Sequence, residues 1–97
     1  MLNKDTLRAV GRIETEAQEL IEESAKFDLH NVDADWRRHF VVRAKLATLR
    51  DNAIDFMSFG LEGRHYKVSE AAGMVADRIS AWLNTMDRNI EDATANS

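Results

Sequence analysis

The sequence predicts an all-α fold: three long, antiparallel, heptad-patterned helices over about residues 4–29, 33–59 and 68–94, forming a coiled-coil-like bundle in one domain, 1–97. Three observations carry this. Apolar residues recur at alternating spacings of three and four through three separate stretches, which is the period of a helix with one buried face. Proline is absent and there are four glycines, so little forces those stretches to break. The three seams also match one another across the intervening turns, as antiparallel neighbours must.

The first seam is Val10, Ile13, Ala17, Leu20, Ser24 and Phe27, with Leu7 and Ile21 alongside. Asn3 or Asp5 is the candidate cap at its start, and the segment runs out near Asp28 to Asn31. The second seam is His39, Val42, Leu46, Leu49, Ala53 and Phe56, with Asp33 as candidate N-cap and Asp35 placing negative charge in the first turn. Gly60 is expected as the left-handed residue after its end. The third seam is Ala72, Val75, Ile79, Trp82, Met86, Asn89 and Ala93, widened by Ala76, Leu83 and Ile90, with Ser69 and Glu70 marking its start.

Antiparallel helices joined by a short turn pair residues whose numbers have a constant sum. Between the second and third helices that sum is 128: Phe56 meets Ala72, Ala53 meets Val75, Leu49 meets Ile79, Leu46 meets Trp82, Val42 meets Met86, and His39 meets Asn89. A second apolar line on the second helix, Trp36, Phe40, Ala44, Ala47 and Ile54, meets the first helix at sums of 63 or 64. That register sets Phe27 against Trp36, Ser24 against Phe40, Ala17 against Ala47 and Val10 against Ile54. The two lines are centred roughly 130° apart, wide for one corner of a closed triangle of helices. The expectation is therefore leftover apolar surface, covered by a second chain in a homodimer.

Composition removes several function classes. No cysteine is present, which excludes disulfides, thiolate metal sites and a cysteine nucleophile, and fits a reducing compartment, so a cytoplasmic location is expected. The first residues lack the apolar run of a signal peptide, and no stretch approaches the ~20 apolar residues of a membrane span. Net charge is −4, and no third of the chain is strongly basic: residues 33–59 carry five basic against four acidic residues, the other two parts are acidic. A duplex binder clusters positive charge against phosphate, so nucleic-acid binding is disfavoured; its candidates would be Arg37, Arg38, Arg43 and Lys45.

Three groups of residues carry candidate chemistry. In the acidic set Glu16, Glu19, Glu22 and Glu23, the pair Glu16 and Glu19, or Glu19 and Glu22, places two carboxylates three apart, the spacing with which all-helical nucleotide pyrophosphohydrolases hold magnesium. Such a site needs a second acidic pair; the nearest, Asp51 and Asp55, are expected on the face opposite both seams of the second helix. His39, Arg43 and Arg50 form a basic line between the two apolar lines, an anion or interface candidate unless carboxylates neutralise it. The register offers Glu14 to Arg50, and Glu19 or Glu22 to Arg43, while Asp35 is spaced to orient the His39 ring. The turn Gly60 to Lys67 presents Arg64, His65, Tyr66 and Lys67 as a donor-rich, aromatic tip, the candidate partner-binding site. Glu62 and His65 have the spacing of a carboxylate-bridged iron site, but Gly60 and Gly63 argue against the continuous helix that site needs.

No zinc-protease motif, phosphate loop or nucleophile elbow occurs, so neither a catalytic residue nor a metal or cofactor is expected. The sequence points to a small helical interaction protein, a homodimeric adaptor, regulator or inhibitor. It would present a helix face or the 60–67 turn to an unidentified macromolecular partner. Magnesium-dependent nucleotide hydrolysis and nucleic-acid association are the competing classes.

Overall fold

The computed structural model describes residues 2–29 and 35–95 and contains, among them, three helices and no strand. They are α1 (Leu2–Ser24), α2 (Asp35–Glu62) and α3 (Tyr66–Ala95), packed as a rod of 52 × 18 × 14 Å. The order is up, down, up. Arg43 meets Asp87 and Gly60 lies against Ser69, one or two positions from the expected antiparallel register of α2 and α3. Ser24 meets Trp82 and Gln18 meets Arg78, so α1 runs parallel to α3. Among the described residues no helix is long and apolar enough to cross a membrane.

The core is the expected one. Val10, Ile13 and Ala17 of α1, Val42, Leu46, Leu49 and Ala53 of α2, and Ala72, Val75, Ile79 and Met86 of α3 are buried together. On α3 the centre of burial shifts toward the widening positions. Ala76 and Leu83 are buried, whereas Trp82 is half-buried and Asn89 exposed. Trp82 uses its place at the edge to donate its indole N–H to the Ser24 hydroxyl at 2.7 Å.

The termini depart from expectation in informative ways. α1 begins before Asn3 and Asp5, which therefore lie inside its first turn, and it ends at Ser24, earlier than expected. Its last carbonyls are closed by tight turns, Ala25 N–H to Ile21 at 3.0 Å and Phe27 N–H to Ser24 at 3.2 Å. Beyond them, the Asp28 amide donates to the Asp35 carboxylate at 2.8 Å, and the Trp36 indole donates to the Leu29 carbonyl at 2.6 Å. Asp33 lies outside the described residues, as does His30.

Gly60 is not a cap. α2 continues through it to Glu62, and no described glycine has a positive φ. The reason for glycine is the closeness of α3: a Cβ there would sit 2.7 Å from the Ser69 amide nitrogen and 2.9 Å from the His65 carbonyl oxygen. Ser69 is correspondingly buried inside α3, which starts three residues earlier at Tyr66.

The placement of α1 keeps the lengthwise register with α2 to within one or two positions but overturns the flank expected to receive it. The main groove between α1 and α2 is lined by Thr6, Ala9 and Ile13 on one side and by Leu49, Phe56 and Phe59 on the other. Ile54 and Phe56 point about 160° apart on a helix, so α1 occupies the flank opposite the Trp36–Ile54 line. Ser24 meets Trp82 instead of Phe40, and Phe27 lines a cleft with Asp35 and Arg38 instead of facing Trp36. Ile54, expected against the buried Val10, is 39% exposed. The physical reason is the arginines: docking α1 on the Trp36–Ile54 side would cover Arg43 and Arg50, and desolvating guanidinium groups is costly. On the Leu49–Phe56 flank the charged groups beside α1, Lys45 and Asp55, stay exposed.

Candidate functional site

The tip at the α2–α3 turn is built by one shared residue. The His65 amide donates to the Gly60 carbonyl at 2.7 Å, and the Arg64 amide to Leu61 at 3.3 Å, the paired bonds of a Schellman ending with Arg64 as its left-handed residue at φ 59°. The His65 carbonyl then accepts the Ser69 amide at 3.1 Å, the first bond of α3. The turn is thus hydrogen-bonded from both sides. Arg64, Tyr66 and Lys67 all point to solvent, Tyr66 being 64% exposed, while the half-buried His65 ring stacks on Phe59 at 6.1 Å.

Other apolar side chains gather at the same end. Phe59 and Leu61 are exposed in the last turns of α2, and the groove places Thr6 and Ala9, at the start of α1, beside Phe59, with Leu7 exposed next to Thr6. Sequence periodicity missed these residues as part of the tip. Their signal was that Phe59 fits neither apolar line of α2 and that Leu61 continues the Phe40–Ile54 line past Gly60, into residues expected as turn.

The basic line divides. Arg43 makes a paired contact with Asp87 of α3, Nε to Oδ1 at 2.6 Å and a terminal nitrogen to Oδ2 at 2.9 Å. That bidentate hydrogen bond holds the Asp87 carboxyl below its usual range and raises Arg43. Neither Glu19 nor Glu22 is its partner, because α1 lies on the other flank. Arg50 contacts its neighbour Asp51 at 3.4 Å and not Glu14. Asp87 was within two positions of the register partner of Arg43 and was the carboxylate to look for.

His39 is buried in the α2–α3 seam, and its Nε2 has no hydrogen-bond partner. Its ring lies edge-on to Phe40 at 5.2 Å. Burial pushes its pKa down, opposed by the nearby Asp87 charge and assisted by Arg43. Asp35 does not orient it; that carboxylate takes the Asp28 amide and lies 3.9 Å from Arg38.

No known protein family, curated protein or solved structure matches this chain. Its chemistry must therefore be judged from its own side chains. Glu19, Glu22 and Glu23 surround a shallow cleft together with Lys26 and Arg38, a mixed-charge surface, and Gln18 donates to Glu22 at 2.9 Å. Asp55, expected on the outer face, instead lines the α1–α2 groove with Glu16, and Arg12 stands beside them. Among the described residues no three carboxylates or imidazoles converge as a metal site would require. Of the remaining basic candidates, Arg37 and Lys45 are exposed, and Arg43 is already neutralised by Asp87.

Proposed function

We infer that the protein is a small helical interaction module that binds another macromolecule through the end of the bundle formed by the α2–α3 turn. The observation that supports this most is the composition of that end: exposed Tyr66 and Arg64 on a turn hydrogen-bonded from both helices, with Phe59 and Leu61 exposed in the last turns of α2 beside it. Tyrosine and arginine on a preorganised element are the residue types that dominate binding energy at protein interfaces, because little conformational freedom is lost when they are covered. Arg64 and Lys67 add positive charge, which suits a partner surface carrying carboxylates. A cytoplasmic setting goes with this reading, since a cysteine-free chain suits a reducing compartment.

The test is capture of a partner from lysate of the source cells, followed by mass spectrometry. Replacing Arg64 and Tyr66 together by alanine removes the two side chains without touching the core, so the thermal melt stays nearly unchanged while capture is lost. Equal capture by both proteins would exonerate the turn.

A further inference from the structure

We propose that a second copy of the chain docks on α2 along Phe40, Ala47, Ile54 and Leu61, in a parallel two-fold pair. These residues stand at strict seven-residue intervals on the flank that α1 leaves open. Phe40 is 51% exposed, Ile54 39% and Leu61 55%, with Ala47 half-buried among them. Seven residues fall only ~20° short of two turns, so the stripe holds one line along the helix instead of winding around it. That geometry is a seam for another long helix. The apolar faces of α1 and α3 are already in the intramolecular core, so the helix of matching length and pattern still open is α2 of a second copy.

Size and charge agree with that occupant. From Phe40 to Leu61 the stripe is ~32 Å long, and a helix pair meeting over that length buries on the order of 700 Å² per chain, close to the ~800 Å² per partner of a standard interface. Small residues Ala44 and Ala47 let the two backbones approach, while Phe40 is braced by ring contacts with Trp36 and His39. Arg43 and Arg50 border the stripe toward α3, and Ala44 and Asp51 border it on the other side. In a parallel two-fold pair opposite borders meet, which sets Arg50 against Asp51 of the partner subunit, twice. In an antiparallel pair like borders meet, and with Phe40 opposite Leu61 the Arg50 side chains of the two subunits would face each other. Within one chain Arg50 and Asp51 touch only at 3.4 Å, so both are free to engage more closely across the pair.

This face meets the bundle end only at Leu61 and contains neither Arg64 nor Tyr66, so its test by Ile54 variants is distinguishable from the test of the heterologous partner. Light scattering on the full chain should return twice 11.0 kDa, and Ile54→Glu should return the single-chain mass with unchanged helical circular dichroism. A wild-type mass of one chain, or a dimer that persists in folded Ile54→Glu, overturns the proposal. Orientation is read by disulfide trapping, which the absence of native cysteine makes clean. Ile54→Cys should oxidise to a covalent dimer, whereas Met74→Cys, exposed on α3, should not. Should Ile54→Glu fail to fold, that trapping decides the face. A product joining Ala47→Cys to Ile54→Cys in a mixture, with none from Ile54→Cys alone, overturns the parallel arrangement.

Discussion

At the scale of single residues, His39 is the group whose chemistry the fold constrains most. It is buried between α2 and α3 with an unpartnered Nε2, and burial lowers its pKa below the ordinary histidine value of 6.5. The folded state therefore favours the neutral ring, and the unfolded chain binds the proton more readily. Stability from this site is complete above about pH 6.5 and is lost as pH falls through the lowered folded value, at up to about 1.4 kcal/mol per pH unit. The Asp87 carboxyl beside it is held down by Arg43, so its contribution persists until much lower pH. Urea unfolding should show the midpoint falling between pH 7.5 and 5.5, and His39→Leu should flatten that slope while keeping the fold. A slope unchanged in the variant would assign the effect elsewhere. The Arg43–Asp87 pair, with both side chains more than a third exposed, contributes only about 0.5–1 kcal/mol despite its paired geometry.

At the scale of elements, the helix ends separate what the sequence encodes openly from what packing decides. A helix end after Phe59 was legible, but glycine was assigned the wrong task there: Gly60 admits the Ser69 backbone, and the left-handed position falls to Arg64, which carries no sequence signature for it. A non-glycine residue at positive φ costs on the order of 1 kcal/mol. Arg64→Gly should therefore raise the free energy of unfolding by about that amount, read by denaturant midpoint, even though a polar side chain is lost. A lower midpoint would mean that the arginine side chain stabilises the turn more than its backbone strain costs. The same division runs through the seams. Which residues of each helix are buried was legible, since burial imposes its period on the sequence. Which flank of α2 receives α1 was not, because Trp36, Phe40 and Ile54 look as apolar as Leu49 and Phe56. Arg43 and Arg50 held that information, and it emerges once their desolvation is weighed. The tip residues Arg64 to Lys67 were legible as candidates because nothing in the seams required them.

At the scale of the whole molecule, α2 and α3 share by far the most extensive contact, and α1 touches each of them less. The buried side chains of α1 among the described residues are Val10, Ile13 and Ala17, whereas α2 and α3 together hold the fully buried Leu46, Ile79, Leu83 and Met86. A helix attached by a short apolar row opens at lower free energy than the hairpin it rests on. Beyond that row, α1 is tied down by the Trp82 indole bond to Ser24 and by the contact of Arg78 with Gln18. Native-state hydrogen exchange should therefore protect α2 and α3 amides together and most strongly, with α1 exchanging faster as a unit. Ser24→Ala removes the acceptor of a part-buried indole and costs α1 docking about 1 kcal/mol, which is roughly a fivefold acceleration of its exchange. Protection in the α2–α3 hairpin should stay as it was, since Ser24 contributes nothing to that seam. Equal acceleration in all three helices would instead mean that the bundle opens only as a whole, with α1 fully cooperative with the rest.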